Sequence, residues 1–264
     1  MFTKRWARRR LHSVREVEVR GRDATYRFIC ENLREFTRSA GMFLKEPGTC
    51  AWIETRVKPG DVFYDVGANI GIYSILAGHR VGPNGRVVAF EPHAGNFAAL
   101  SRNIDANAFA GRIIPCNFAL HRSSGFFDFN YSSLAVGSSR SQLGGNAAPG
   151  FDPFEPVVCE LKYATSIDDL VASGRLPRPT HVKIDVDGNE RQILEGMQAV
   201  LTAVDKPKSL SVEVSFAEQP SIERSLESWG YRMTSQNLTR AGERKRKAGS
   251  LGPTDCYNAI FEPI

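Results

Sequence analysis

The run Asp65-Val66-Gly67-Ala68-Asn69-Ile70-Gly71 follows directly on an apolar stretch, Val62-Phe63-Tyr64, and precedes a helical pattern. Glycine at such a turn lets the backbone fold tightly and lets a ligand approach the main chain with no Cβ in the way. The spacing is not the G-x-G-x-x-G of a dinucleotide site, and a carboxylate at the strand end would repel a pyrophosphate. Asp65 suits a ligand bearing an ammonium group, such as the methionine part of S-adenosylmethionine; the plainer alternative is a turn aspartate. Glu91 closes the next apolar run, where an acid of this fold type accepts hydrogen bonds from two ribose hydroxyls. Its alternative is a surface glutamate before a proline turn. Gly67, Ala68, Asn69, Gly71, Tyr73 and Ser74 in and after the loop, with Pro92, Asn117 and Ala119 beyond the next two strands, complete the candidate cofactor-binding set. Asn117 and Ala119 stand where an adenine edge would lie.

A second group is acidic. Asp185 and Asp187 end an apolar run, Glu190 follows, and Glu213 lies on the next run. Side chains alternate along a strand, so Lys183, Asp185 and Asp187 share one face. Such carboxylates can position a hydroxyl, take its proton or hold a divalent cation. Asp185 is the expected base or orienting group and also borders the cofactor, with Glu213 and Lys183 as its catalytic neighbours and His93 and His121 in reserve. Asp185, Asp187 and Glu213 are the residues a divalent metal would need. The alternative is a turn and helix start, with Lys183 and Glu213 as a structural ion pair.

These groups need a frame. Strand-like runs at 62–66, 86–90, 112–116, 181–186, 209–214, 231–238 and 257–261 alternate with helical patterns at 70–77, 96–107, 192–201 and 221–229. That alternation predicts an α/β fold: a doubly wound, Rossmann-like, mostly parallel seven-stranded sheet. No helical pattern separates the last two strands, so the final strand is expected to run antiparallel. Tyr26, Ile29, Leu33 and Phe36 recur at helical spacing and predict a small N-terminal helical extension over 1–57, with the ligand-binding domain over 58–264. The 123–157 stretch, rich in Ser, Gly, Asn and Pro, is long for a loop; Phe126, Phe127, Phe129 and Tyr131 mark a strand or a binding lid within it. Ser166-Ile167-Asp168-Asp169 reads as the capped start of a short helix.

Composition narrows the class. Hydrophobic residues make up 42% and charged residues 24% of the 264 residues, ordinary for a globular protein. The five cysteines, Cys30, Cys50, Cys116, Cys159 and Cys256, form no C-x-x-C pair, which argues against a zinc cage or a disulfide framework. No apolar run reaches the roughly 20 residues of a membrane span, and no secretory leader pattern follows the basic start, so a cytoplasmic location is the expectation. The net charge of +5 is concentrated in two places, around Lys4, Arg5, Arg8, Arg9 and Arg10, and at Arg240 with Arg244-Lys245-Arg246-Lys247. Such runs are solvated faces, or they attract an anionic acceptor or a membrane surface. The second is expected to lie over the acceptor entrance.

The motifs taken together resemble the FkbM-type methyltransferase family. The resemblance rests on the 58–71 block just described, on Gly85-Arg86-Val87-Val88-Ala89-Phe90-Glu91-Pro92, on Asn117-Phe118-Ala119-Leu120, on Thr165-Ser166-Ile167-Asp168-Asp169-Leu170, and on Val182-Lys183-Ile184-Asp185-Val186-Asp187-Gly188-Asn189-Glu190. It covers roughly 57–201. It implies a class I fold, S-adenosylmethionine as methyl donor with Asp65, Gly67, Asn69, Gly71 and Glu91 in the pocket, and O-methylation of a sugar, glycoconjugate or natural product. The family usually has Glu where Asp187 stands, which shortens that carboxylate's reach. A nucleic-acid methyltransferase is the first rival, but the Asn/Asp-Pro-Pro-aromatic tetrapeptide of base amino methylation is replaced by Asp185-Val186-Asp187-Gly188. No nucleic-acid partner is therefore expected. An NAD-linked oxidoreductase fits the glycine spacing poorly, and a non-catalytic donor-binding module is the remaining alternative.

Overall fold

The structure, a computed structural model, describes residues 15–147 and 153–264. The basic group from Lys4 to Arg10 lies outside them. The chain opens with an antiparallel hairpin, β1 (Arg15–Arg20) and β2 (Thr25–Cys30), then three helices, α1 (Leu33–Ala40), α2 (Met42–Lys45) and α3 (Pro47–Arg56). The alternating part runs β3 (Val62–Val66), α4 (Ile72–Val81), β4 (Arg86–Phe90), α5 (Ala94–Ala106) and β5 (Ile113–Cys116). A small excursion follows, with β6 (Ala119–Leu120), β7 (Gly125–Tyr131), β8 (Gln142–Leu143) and β9 (Val158–Thr165). The chain then continues through α6 (Ile167–Ala172), β10 (His181–Ile184), α7 (Glu190–Glu195), α8 (Gln198–Thr202), β11 (Ser209–Ser215), α9 (Gln219–Ser228), β12 (Tyr231–Leu238), α10 (Arg240–Lys247) and β13 (Cys256–Pro263).

The seven-stranded sheet has the order β12-β13-β11-β10-β3-β4-β5. Its pairings are parallel except those of β13, which is antiparallel to both neighbours. The doubly wound expectation with a reversed last strand therefore holds. One face buries Phe63, Val87 and Ala89 against α3, α4 and α5, through Ile53, Ile75, Leu76 and Leu100. The other buries Tyr64, Val88, Val182 and Val212 against α6 to α9, through Ile167, Leu194, Leu201 and Leu226. Each strand contributes alternate residues to the two layers, as a sheet covered on both sides requires. In register, Asp65 faces Lys183 and Val66 faces Phe90, so β3, β4 and β10 end level with one another. The loops beyond these carboxyl ends are where ligands of open α/β sheets bind.

Two expectations change. Tyr26 and Ile29 lie on β2, not on a helix: Tyr26, Phe28 and Cys30 alternate inward and join the core, while Leu33 and Phe36 of α1 are exposed. The hairpin's open edge is closed by α5, where the Asn103 and Asn107 side chains accept from the Ile29 and Arg27 N–H groups at 2.8 and 3.0 Å. Helix α10 occupies the interval between the last two strands that showed no helical pattern; Thr239 caps it by accepting from Gly242 N–H at 3.1 Å. The strand expected within 123–157 is β7, which carries Phe126, Phe127, Phe129 and Tyr131; β8 follows it, and β9 begins just past the stretch. These belong to a second sheet of order β6-β9-β7-β8. All five cysteines are unpaired, with Cys30, Cys50 and Cys116 buried. Among the described residues no helix is long and apolar enough to cross a membrane.

Candidate active site

Two cavities open beyond the carboxyl ends of β3, β4, β10 and β11. The first is lined by Gly67, Asn69, Glu91, Pro92, Phe118 and Ala119, and closes on the far side with Leu143 and Ile193. The second is lined by Arg38, Lys45, Ala68, Tyr73 and Glu213. Gly67, Asn69, Ser139, Asp185 and Asp187 line both. A ligand in either cavity thus reaches the same wall.

The glycine loop forms that wall because β3 stops between two neighbours that still bond it. Phe90 C=O accepts from the Gly67 and Ala68 N–H groups, and Val66 C=O accepts from Asp185 N–H at 3.1 Å. Gly67 then turns at φ 79°, and a Cβ there would stand 1.9 Å from the Asp185 carbonyl oxygen. Gly71 starts α4 at φ 90° against Leu100 and lines neither cavity.

Glu91 is buried at the rim of the first cavity. Its carboxylate accepts from Asn69 N–H at 2.7 Å and His93 N–H at 2.8 Å. Four lone-pair positions are available to an ionised carboxylate, so about two are left for a ligand diol. Burial pushes the Glu91 carboxyl up to about 7, against the pull of those two N–H donors. A diol donating to the ionised form would lower that value again. Donor affinity should therefore be level above about pH 7 and fall as the pH drops below it. Glu91→Gln should weaken donor binding by roughly tenfold or more at pH 8 and flatten its pH dependence. Calorimetric titration between pH 5.5 and 8.5 tests this; an unchanged slope in the variant would remove Glu91 from the contact.

The acid expected to meet an ammonium group does something else. Asp65 is fully buried and lines neither cavity. It accepts from Ser74 Oγ at 2.6 Å and pairs with Lys183 at 3.4 Å. Lys183, also fully buried, turns to Asp185 at 3.2 Å. Although burial opposes its charge, Asp185 and Asp65 hold Lys183 above the ordinary lysine value. Asp65, Ser74 and Lys183 are thus a buried support for Asp185, and Lys183 pairs with the two aspartates in place of Glu213. A missing partner for a buried charge is costly, which explains why the loop's acid is committed inward.

Asp185 itself is partly exposed at the wall between the cavities. Burial alone would raise its carboxyl, but Lys183 and Lys45 outweigh that and hold it below the ordinary carboxylate value. Glu213 goes the other way: burial, then Asp185 and Asp187, push it well above the usual range. Two carboxyls at one cavity are thereby kept in different protonation states, an arrangement suited to acid–base work. Asp187, at φ 61°, accepts from Arg140 N–H at 2.8 Å, and its carbonyl accepts from Gln142 Nε2 at 2.6 Å. Among the described residues no group of three His, Cys, Asp or Glu has a metal-holding arrangement, so Asp185, Asp187 and Glu213 do not make the cation site considered from the sequence.

Other expected residues are redistributed. Tyr73 lines the second cavity, with Lys183 Nζ 5.1 Å from its ring centre. Asn117 lines neither; it donates to the Glu91 carbonyl at 3.1 Å and accepts from Lys162, leaving Phe118 and Ala119 to face the first cavity. His93 lines the first cavity with both ring nitrogens engaged: Nδ1 accepts from Asn96 N–H and Nε2 lies 2.9 Å from the Ser133 carbonyl. His121 stacks on Phe127 and lines neither cavity, so it leaves the reserve of bases.

The 132–142 segment had no assigned residues, yet Ser138, Ser139, Arg140 and Ser141 roof the first cavity. It is tied down by Asn69 Nδ2 to Ser138 C=O at 2.7 Å, Asn96 Nδ2 to the same oxygen at 3.0 Å, and Arg38 Nε to Gly137 C=O at 2.6 Å. The aromatic run flagged beside it was the available signal. Arg38 and Lys45, from the N-terminal helices, carried none.

Residues 65–233 match the methyltransferase FkbM domain. The hexuronic acid methyltransferase AglP of Haloferax volcanii is 33% identical over 146 residues, 55% of this chain and 53% of that protein. The 31-O-demethyl-FK506 methyltransferase FkbM of Streptomyces tacrolimicus is 30% identical over 160 residues, 54% of this chain and 61% of that one. The chain thus matches little more than half the length of these two relatives. A crystal structure of methyltransferase FkbM from Methylobacillus flagellatus KT superimposes with a TM-score of 0.51 at 16% identity, covering 78% of this chain and 44% of the other. That likeness concerns the fold. The chain belongs to the methyltransferase FkbM domain family, the family that its motifs resemble.

Proposed function

We propose that the protein transfers a methyl group from S-adenosylmethionine to a hydroxyl of a sugar, glycoconjugate or natural product. The observation that carries this reading is the shared wall: a first cavity holding Glu91 and Phe118 and a second holding Glu213 meet at Gly67, Asn69, Asp185 and Asp187. When bound, the donor supplies an electrophilic methyl on a cationic sulfur. Glu91 would take its ribose hydroxyls, Phe118 and Ala119 its base, and the Asn69 and Gly67 backbone its remaining length. The carboxylates of Asp185 and Asp187 would face its positive charge.

The acceptor enters the second cavity. Asp185, ionised at neutral pH, orients the hydroxyl and takes its proton as the oxygen attacks; Lys183 and Lys45 steady the carboxylate. Holding oxygen, methyl and sulfur in line supplies much of the acceleration of such a displacement. The relatives support this class of acceptor, since one is named for hexuronic acid and the other for a demethylated natural product. The acceptor's being anionic, contact with a membrane surface through the basic segments, and a cytoplasmic location belong to the same reading.

A labelled-methyl transfer screen against acidic sugars, glycolipids and polyketides, with the protein first titrated with donor, tests the proposal. Label should appear as an ether on an acceptor oxygen. Donor binding with label reaching only nitrogen of RNA or protein would overturn it.

A further inference from the structure

A cleft beside the second cavity is lined by Thr37, Arg38, Leu44, Lys45, Arg240 and Arg244, with no carboxylate in its wall. It lies between α1–α2 and α10, and shares Arg38, Gly41 and Lys45 with the cavity that holds Asp185. The cations of α10 are used unequally. Lys245 is paired with Asp255 at 2.5 Å and Arg246 with Glu243 at 2.7 Å, both away from the cleft. Arg240 and Arg244 line it and have no carboxylate partner among the described residues. Among the described residues Arg38 hydrogen-bonds through Nε to the Gly137 carbonyl, and Lys45 keeps its side chain 57% exposed while paired with Glu46. The basic run read from the sequence as one unit is thus split: Lys245 and Arg246 are paired, Lys247 lies outside the cleft, and Arg240 and Arg244 line it.

We propose that this cleft is an anion subsite that receives a phosphate or diphosphate ester carried by the methyl acceptor. The inference rests on the methyl-transfer reading, because the cleft acquires its role from the cavity it adjoins. Arginine forks match the paired oxygens of phosphate, and such charge-assisted hydrogen bonds are about twice as strong as neutral ones. Arg38, Arg240 and Arg244 around one opening, with Lys45 shared with Glu46, would favour two negative charges or more, which a phosphate ester supplies and a neutral sugar does not. Anchoring there would leave the acceptor's sugar at the shared wall of Arg38, Gly41 and Lys45, next to Asp185. A nucleotide-linked and a lipid-linked sugar present the same group.

Calorimetry of the whole chain with inorganic pyrophosphate reads the site directly. The parent should bind it, the Arg240→Glu/Arg244→Glu double variant should bind at least about tenfold more weakly, and Lys247→Glu, on the same helix but outside the cleft, should match the parent. All three should titrate equally with S-adenosylmethionine. Displacement of pyrophosphate by uridine diphosphate identifies a nucleotide-linked source, and displacement by geranyl phosphate a lipid-linked one. No pyrophosphate binding by a parent that still binds donor, an equal loss in Lys247→Glu, or displacement by neither ester overturns the subsite while leaving methyl transfer intact. A parent that fails to bind donor defeats both readings.

Discussion

Gly67→Ala should abolish measurable donor binding and lower the stability of the chain by about 3–5 kcal/mol, the sum of a left-handed alanine and an overpacked contact. The added Cβ would lie 1.9 Å from the Asp185 carbonyl oxygen, at a backbone φ of 79°. Neither partner can retreat. Gly67 N–H donates to Phe90 C=O, and Asp185 N–H donates to Val66 C=O, so both sides of the contact are tied to the central strands. Relief must come from displacing the turn that carries Asn69 or the one that carries Asp185, and both line the two cavities. Thermal melting and donor titration of the purified variant measure the two effects separately. A variant that melts lower but binds donor with parental affinity would show that the first cavity is not the donor site.

Asp185→Asn should reduce kcat by about 10²–10⁴-fold, the usual contribution of a positioned base, with donor affinity changed by less than about tenfold. The substitution keeps the shape and removes the charge. It also leaves Lys183, fully buried, with Asp65 as its one remaining carboxylate within 4.0 Å, so some loss of stability should accompany it. Single-turnover kinetics at saturating donor separates the chemical step from binding. Glu213→Gln is the useful companion, since that carboxyl is held well above its ordinary value and is protonated where Asp185 is not. If Glu213→Gln lost more activity than Asp185→Asn, the two roles would have to be exchanged.

The buried parallel strands were the most legible part of the sequence. β3 and β4 have the expected bounds, because each is a compact run opened by a turn signal, Lys58-Pro59-Gly60-Asp61 and Gly82-Pro83-Asn84-Gly85; the antiparallel edge strand β12 has its expected bounds too. The strand β9 was hidden for a physical reason. Its pattern is inverted: Lys162 is only 5% exposed while Leu161 is 67% exposed. The lysine is held by Glu160 at 2.6 Å and by Asn117, so hydrophobicity does not report which face is inside. The β2 strand was misread because Thr25-Tyr26-Arg27-Phe28-Ile29-Cys30 fits a period of two, which competes with the helical spacing of Tyr26, Ile29, Leu33 and Phe36. α10 has almost no apolar side chain, and only its Thr239 cap announced it.

At the site, the residue types were legible and their directions were not. Asp65 and Glu91 both end central strands, yet one points into a lysine and the other at a cavity. That difference follows from Lys183, two residues before Asp185 on the neighbouring strand and level with Asp65 in register. Registers between distant segments are set by the assembled sheet, and a single run of residues does not contain them. The same holds for Arg38 and Lys45, brought to the second cavity by helices about 140 residues before Asp185 in the chain.

The hydrogen bonds that fasten 132–142 are donated by Asn69, Asn96 and Arg38 and accepted by Asp187. Two of these, Asn69 and Asp187, border both chambers, and Arg38 borders the acceptor's. On the proposed reading, release of spent donor is expected to loosen bonds that also border the proposed acceptor chamber. A shared opening of this segment would then be expected to limit turnover. Viscosity and pre-steady-state burst measurements would register this as a release-limited cycle.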